Sequence, residues 1–264
     1  MNLNIKISLM LSLLLSTSAM AYQEAVTDVE ARYAAKSAVN AGEVLKQSVN
    51  LGFSQTTGNV EVSNFNGKYD FSVTTLGFAD QALKVGFDAS LFMTKVEGDT
   101  NNKEFTVNLG LEQYVMNDWL GYTSINWLSN EFRNFDNKFA IGAGVGTEIF
   151  NDGQHSLKFK VGMAYNVEQY VNGAAESTFT SLNEYIEYNN KLNDVSTLYF
   201  KVGAAENIEE IEKNYEVTGV FGLNFAIAEN VSLSIEEELR YDKTPPVGFE
   251  DLDTKTIIRV GYNF

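Results

Sequence analysis

Few residues of this chain could carry out catalysis. Cysteine is absent, and the one histidine, His155, follows the turn-forming stretch Asn-Asp-Gly-Gln at residues 151–154. A serine hydrolase places a histidine base beside its nucleophile, and a zinc enzyme needs spaced histidine or cysteine ligands. The sequence contains neither a Ser-His-Asp order nor an HExxH motif, and its many acidic residues single out no catalytic pair. His155 is therefore interpreted as a turn residue, and the sequence predicts no enzyme activity, no cofactor and no metal site.

Charged residues instead follow a regular spacing, in which they alternate with apolar residues over long segments. In a β-strand, this alternation places the charges on one face and the apolar side chains on the other. The predicted charged face has ten basic and ten acidic members: Lys46, Lys68, Lys84, Lys138, Lys158, Lys160, Lys191, Lys201, Arg240 and Arg259, with Asp70, Asp88, Glu104, Glu112, Glu148, Glu168, Glu187, Glu216, Glu236 and Glu238.

From this face we predict a set of lumen-lining residues inside a barrel. They are Lys68, Asp70, Lys84, Asp88, Glu112, Lys158, Lys160, Glu168, Lys201, Glu236, Glu238, Arg240 and Arg259. The balance of charge leaves two alternatives open. The charges could border a hydrated pore, or they could pair with one another and fill a narrow interior.

The strands that would position these charges are evident from the alternation. The clearest segment runs from Leu157 to Glu168, and period two over so many residues indicates a strand longer than the roughly five or six residues usual in soluble proteins. Twelve segments occur, near residues 45–56, 60–74, 81–95, 103–116, 119–130, 137–150, 155–170, 177–192, 195–205, 213–226, 231–242 and 254–264. Short, turn-rich connections mostly alternate with longer ones, as in bacterial outer-membrane barrels.

The pattern therefore predicts an all-β fold, a transmembrane antiparallel up-and-down β-barrel of about 12 strands, over residues 45–264. The alternative is a secreted β-sandwich, which also needs one apolar face in each sheet. The uniform strand length and the aromatic last residue favour the barrel. Mean hydropathy of −0.16 is too polar for a helical membrane protein but fits a barrel, since only alternate residues face lipid.

The two ends of the chain predict its route to the membrane. Residues 1–21 have the features of a cleaved signal peptide, with Lys6, a short apolar run and a small-x-small pattern before the cleavage site. Residues 22–44 predict a short periplasmic tail or helix. At the other end, Tyr262 and Phe264 complete the apolar phase of the last segment and are predicted to be a signal for the barrel-assembly machinery. The predicted location is the bacterial outer membrane, with lipid and lipopolysaccharide as partners.

The net charge of −16 argues against nucleic acid as a partner. Because the predicted inward charges balance, the excess acid falls in the tail and the loops. The loop acids predicted at the outer mouth, where they could concentrate or bind cations, are Glu97, Asp99, Glu206, Glu209, Glu210, Glu212, Glu250, Asp251 and Asp253.

Two glutamates break the alternation. Glu184 falls on the apolar phase beside Ile186, and Glu237 falls on the apolar phase beside Leu239. A β-bulge that shifts the register is the interpretation we favour. The alternative is that these acids face a partner subunit or lie near an interface, and the sequence predicts no oligomeric state.

Three stretches resemble one known family, the YdiY-like "salt-induced outer membrane protein" family, a group of unknown function. Residues 49–59, Val-Asn-Leu-Gly-Phe-Ser-Gln-Thr-Thr-Gly-Asn, resemble its first strand and loop. Residues 130–136 and 141–146 resemble its central loop and glycine strand, and Pro-Pro-Val-Gly at 245–248 with the closing strand resembles its last hairpin. The resemblance covers residues 45–264 and implies an outer-membrane location and a link to salt or osmotic stress. It supplies no catalytic or ligand residues.

These features together predict a small passive channel for ions or small solutes, with the link to salt stress implied by the resemblance. The alternative is a structural or surface-interaction barrel with a closed lumen and acidic, cation-binding loops. The two differ in whether the inward charges leave a continuous polar space.

Overall fold

A computed structural model describes residues 44–56, 62–116, 118–245 and 250–264. The predicted signal peptide and residues 22–43 of the predicted tail lie outside the described residues. The described strands are β1 (Val44–Thr56), β2 (Val62–Leu76), β3 (Ala82–Val96), β4 (Asp99–Met116), β5 (Trp119–Asn130), β6 (Phe135–Asn151), β7 (His155–Tyr170), β8 (Ser177–Asn193), β9 (Ser196–Asn207), β10 (Tyr215–Ala228), β11 (Val231–Asp242) and β12 (Leu252–Asn263). Short 3-10 turns occur at Phe78–Asp80 and Glu131–Arg133. Within these ranges, no helix has the length and apolar character needed to cross a membrane.

The sheet closes on itself. Each strand pairs in antiparallel fashion with its neighbours in the sequence, and β1 also pairs with β12. The closing pairs join Val49 to Tyr262 and Leu51 to Val260. Closure gives hydrogen-bond partners to the backbone of both edge strands, which is a condition for a β-sheet in lipid. The predicted all-β antiparallel barrel of about 12 strands is confirmed.

The last residue is held at the seam of the barrel. The backbone N–H of Phe264 donates to the carbonyl of Gln47 at 3.0 Å. Its ring packs edge-on against Tyr262, with ring centroids 5.1 Å apart. The proposed role of these two aromatic residues as an assembly signal stays a prediction. We call the end of the barrel where β1 begins and β12 ends the proximal end, and the opposite end the distal end.

The alternation of residue types separates the two faces of the barrel wall. In β7, Lys158 is fully buried, whereas Met163 is 51% exposed. Phe53 and Ile258 are likewise exposed apolar residues on the outer face. Soluble proteins show the opposite distribution, with charges outside and apolar residues inside. This inversion is what a wall between lipid and a polar interior requires.

The strands are tilted relative to the barrel axis. Paired positions lead from Lys46, near the proximal end of β1, to the distal end of β9 by way of Ser72, Gly86, Gly110, Ser124, Gly142, Ala164, Ser181 and Asn207. In an untilted barrel this path would stay at one height. Side chains that meet inside the barrel therefore come from different positions along their strands.

The favoured prediction of a β-bulge at Glu184 and Glu237 is wrong. Glu184 lies opposite Ala204, and Glu237 lies opposite Thr256, within unbroken runs of paired residues. The register shifts of β8 and β10 occur close to the proximal end instead. Both glutamates therefore stay on the outer face. Alternation alone could not distinguish a shifted register from an acid that faces outward.

Two tyrosines fill the proximal interior by lying against glycines of the neighbouring strand. Tyr122 is paired with Gly144, and Tyr199 is paired with Gly222. A Cβ added at Gly222 would collide with the Tyr199 ring, and one at Gly144 would collide with Tyr122. The absence of a side chain at these two positions therefore lets the rings lie flat against the wall beside the charged residues.

Candidate functional site: the charged interior of the barrel

Glu112 is the centre of an ion-pair cluster in the proximal half. Its carboxylate accepts a hydrogen bond from Lys158 Nζ at 2.7 Å and a second one from Lys160. All three side chains are buried. Glu112 is on β4 and the lysines are on β7, so the pairs pass over β5 and β6. A Cβ at Gly146 on β6 would collide with Lys160 Cγ, so a glycine is what lets the lysine lie across this strand.

Further ion pairs line the other side of the proximal half. Arg259 donates to Glu236 at 2.8 Å and to the side chain of Asn66 at 3.0 Å. Lys68 lies 2.5 Å from Asp70. These contacts join charges on the same or on nearby strands, and they hold the charged groups against the wall.

A second set of charges bridges the lumen near the distal end. Glu216 on β10 accepts from Arg240 on β11 and from Lys138 at 3.2 Å. Lys138 also lies 2.9 Å from Glu168. Because Lys138 is on β6 and Glu216 on β10, which are not neighbours, their contact crosses the interior.

Arg133 adds a contact from a loop. It ends the 3-10 turn between β5 and β6, and its Nη2 lies 3.0 Å from Asp253 at the start of β12. In the closed ring these two elements lie on opposite sides, so the contact spans the distal mouth. Burial lowers the pKa of Arg133, and the nearby Arg240 lowers it further. Keeping this arginine charged therefore costs free energy, and the attraction of the surrounding acids offsets part of that cost.

The turn that carries Arg133 is held in place at both ends. The Asn130 side chain accepts a hydrogen bond from the backbone of Phe132 at 3.1 Å. Asn134 has a φ of 64°, and its carbonyl accepts from the backbone of Val171 at 3.1 Å. Asparagine tolerates this left-handed conformation better than most residues. The distal charge cluster consists of Arg133, Lys138, Glu168, Glu216, Arg240 and Asp253.

The interior between these clusters contains open space. The larger cavity has a volume of about 300 Å³ and extends through the proximal half and the middle of the barrel. A second cavity of about 170 Å³ lies beside Lys138 and Arg240. The two share the lining residues Asn108, Asn126, Glu216 and Thr218. A polar space therefore reaches from the proximal half to the distal charge cluster, where ion pairs cross it.

The predicted lumen-lining residues divide into two groups in the structure. Those in contact with a cavity are Asp70, Lys84, Asp88, Glu112, Lys160, Lys201 and Arg240. Those buried inside the barrel but outside both cavity linings are Lys68, Lys158, Glu168, Glu236, Glu238 and Arg259. Lys191, from the wider inward set, is exposed at the proximal end.

Sequence reasoning missed part of the lining. Asn108, Asn126 and Tyr122 line the larger cavity and lie on the same phase as the predicted charges. A search for every polar residue on that phase, rather than for charges alone, would have found them. Arg133 had no such signal, because it lies in a loop where alternation does not apply.

His155 and the loop acids have other surroundings. Nδ1 of His155 lies 2.8 Å from the hydroxyl of Tyr188, at the proximal end. In the preceding turn, the Asp152 carboxylate accepts backbone hydrogen bonds from His155 at 2.7 Å and Gln154 at 2.9 Å, which lowers the pKa of Asp152. Of the predicted acidic mouth, Asp253 pairs with Arg133. Among the described residues, no group of three or more acidic or histidine side chains could hold a metal ion.

A closed twelve-stranded barrel that is apolar outside and ion-paired inside has the architecture of an outer-membrane β-barrel protein. A family model described as "Protein of unknown function, DUF481" matches residues 49–264. The chain belongs to this family. No curated protein matches the chain. The narrower YdiY-like family name stays a prediction.

Solved structures share this fold. An outer-membrane channel from Pseudomonas putida F1 aligns with a TM-score of 0.54 and 10% identity, over 84% of this chain and 96% of that one. The NanC porin aligns at 0.47 with 10% identity, over 84% and 99% of the two chains. The translocator domain of the autotransporter NalP from Neisseria meningitidis aligns at 0.44 with 12% identity, over 90% and 95%. At such identities, the first of these likenesses establishes the fold and nothing further.

Proposed function

We propose that the protein is a small passive channel of the bacterial outer membrane that conducts ions or small polar solutes. The observation that carries the proposal is the polar space inside a closed barrel, lined by charges of both signs. The apolar outer face supports insertion in lipid, with lipopolysaccharide as the neighbour on the outer side. The chain reaches this membrane through the periplasm. We assign no enzymatic activity to it.

The connections between the strands support an orientation. At the proximal end, β8 and β9 are separated by residues 194–195, and β10 and β11 by residues 229–230. At the distal end, β9 and β10 are separated by residues 208–214. Outer-membrane barrels have short periplasmic turns and longer outer loops. The proximal end therefore faces the periplasm, and the distal charge cluster lies at the outer mouth.

The charges predict what the channel passes. Acidic and basic side chains both line the larger cavity, for example Asp88 and Lys84, so neither sign of ion is strongly favoured. The polar lining favours hydrated solutes over apolar ones. The ion pairs that cross the outer mouth narrow the path there. We therefore expect a low conductance and a cation-to-anion permeability ratio close to one.

Planar-bilayer recording tests this proposal. Protein refolded in detergent is first shown to be a folded barrel by its heat-modifiable gel migration, and the same sample is then inserted into a planar bilayer. We expect small, discrete conductance steps, and a reversal potential near zero in a salt gradient. A folded, inserted preparation that gives no steps would overturn the channel proposal.

The contacts across the lumen favour a second candidate, a barrel with a closed lumen that acts through its surface. Arg133 with Asp253, and Lys138 with Glu216, are the contacts that support it. On this alternative, conductance stays absent even when the crossing contacts are removed by mutation. The resemblance to a salt-induced family supports a role in osmotic stress for either candidate. Growth of a deletion strain at raised salt, compared with its complemented strain, tests that role.

A further inference from the structure

Two carboxyl groups on the outer face lie in the middle of the barrel wall. Glu184 is near the centre of β8 and is exposed, and it forms no hydrogen bond or ion pair with any described residue. Glu237 is near the centre of β11, where its carboxylate accepts a hydrogen bond from the Thr256 hydroxyl at 2.6 Å. Apolar outward residues neighbour them along their own strands: Ile186 is 43% exposed and Leu239 is 48% exposed.

Lipid offers such groups no partner. Ionisable residues at membrane depth are costly, and they normally face a polar cavity, another ionisable group or another protein chain. Both side chains lie on the outer phase of their strands, although Glu184 also borders the wall of the larger cavity. The position near the middle of each strand also places them away from the headgroups, where water could solvate them. Another protein surface is therefore the environment that fits both.

The two glutamates lie at the same height on the wall. Paired positions lead from Glu237 through Phe221 and Phe200 to Tyr188 on β8, which is closer to the proximal end than Glu184 is. With strands about 4.8 Å apart, a rise of about 3.4 Å per residue and a tilt of about 40°, the three strand steps lower the path by about 10 Å. The step along β8 back to Glu184 raises it by about the same amount.

The outer surface between the two glutamates, formed by β9 and β10, carries small side chains at its centre. Gly219 and Val202 are directly paired at its centre. A Cβ added at Gly219 would meet only the Cβ of Leu239, at 4.0 Å. Small residues at this level let another barrel wall approach closely, which is how proteins associate in lipid. The mid-barrel patch consists of Glu184, Val202, Ala204, Gly219, Phe221 and Glu237.

We propose that the mid-barrel patch is the interface with a second copy of this chain. A twofold axis along the membrane normal, between β9 and β10, places Glu184 against Glu237 of the partner subunit and repeats that contact on the other side. A closed dimer requires such reciprocal contacts, in which residue i meets j and j meets i. Equal height is what a second copy needs, because a twofold axis along the membrane normal brings together residues of the same height, and an unrelated partner would not impose it.

The paired carboxyl groups satisfy each other inside this interface. One protonated carboxyl group donates a hydrogen bond to the other carboxylate, and the Thr256 hydroxyl donates a second one to Glu237. Both acids then leave the lipid. The inference requires membrane insertion, but it does not depend on whether the lumen conducts.

Cysteine cross-linking tests the dimer, because the chain has no cysteine of its own. Three samples are treated with a short bismaleimide in lipid vesicles: Gly219→Cys, an equal mixture of Glu184→Cys and Glu237→Cys, and the control Leu109→Cys. Leu109 is 43% exposed on β4, on the opposite side of the ring. We expect a cross-linked dimer from Gly219→Cys and from the mixture. We expect none from Leu109→Cys, and little from either glutamate variant alone.

Energy transfer between labelled copies provides a second measurement. Replacing both glutamates by leucine should weaken dimerisation about tenfold, since it removes two hydrogen-bonded carboxyl pairs from an interface within the membrane. Replacing both by glutamine should preserve it, because an amide can donate and accept. The inference is overturned if the leucine variant dimerises as well as wild type, or if Leu109→Cys cross-links as strongly as Gly219→Cys. Heat-modifiable migration of every variant shows that it is a folded barrel.

Discussion

Replacing Glu216 with glutamine tests whether the distal charge cluster closes the outer mouth. The Glu216 carboxylate forms ion pairs with Arg240 and with Lys138, whose Nζ lies 3.2 Å away. The glutamine has almost the same shape but no charge, so both cations lose their shared counterion. Lys138 keeps Glu168 at 2.9 Å, whereas Glu216 is the only acid that forms an ion pair with Arg240 among the described residues. The contact between β6 and β10 across the lumen should therefore weaken first.

The structure sets the size of the effect. Removing one member of a buried ion pair costs about 3–5 kcal/mol, and exposed pairs contribute about 1 kcal/mol or less. The Glu216 side chain is 23% exposed, and Lys138 keeps one partner. We therefore expect the substitution to destabilise the closed mouth by about 2–3 kcal/mol. Since about 1.4 kcal/mol is a factor of ten, the closed mouth should lose about 30- to 150-fold in population relative to the open one.

Single-channel recording measures this population as open probability. The matched control is Glu210→Gln, which removes the same charge from an exposed outer loop and should leave open probability unchanged. The temperature at which the barrel loses its folded gel migration should fall for Glu216→Gln and not for the control. If that temperature falls while open probability stays at the wild-type value, the distal charge cluster stabilises the barrel without closing it, and its proposed closing role is refuted.

Four further outcomes are expected. Arg133→Gln should raise single-channel conductance without changing barrel stability greatly, because it removes the contact across the mouth but leaves the strands paired. Gly222→Ala should destabilise the barrel by about 1–3 kcal/mol, since its Cβ collides with the Tyr199 ring. Gly86→Ala, whose Cβ meets nothing within 4 Å, should be neutral in the same unfolding assay. Deleting Phe264 should lower the folded, membrane-inserted fraction on fractionation, and wild-type amounts would remove it from the assembly signal. Raising salt from 0.1 M to 1 M shortens the screening length from about 10 Å to about 3 Å, so open probability should rise, through the partly exposed distal charge cluster rather than the buried Glu112 cluster.

The sequence by itself determined which residues lie on the inner and the outer face of the barrel wall. Side chains of a strand alternate between its two faces whatever the rest of the chain does, so local alternation placed Lys158 inside and Met163 outside. It also placed the strands and their order, because each antiparallel strand pairs with its neighbour through a short connection. Alternation could not decide which face of the wall Glu184 and Glu237 occupy, since a bulge and an outward-facing acid produce the same local pattern.

The tertiary structure alone decided which charges meet. Closure and tilt determine the heights at which residues of distant strands face one another, and no short segment carries that information. Glu112 reaches Lys160 across two intervening strands, where Gly146 leaves room for the lysine, and Lys138 reaches Glu216 across the lumen. Arg133 comes from a loop, where no periodicity exists to predict its direction. Pairing across the barrel depends on the register of all the strands at once, and this is why the contacts across the distal mouth and the equal heights of the two outer glutamates emerge only from the folded chain.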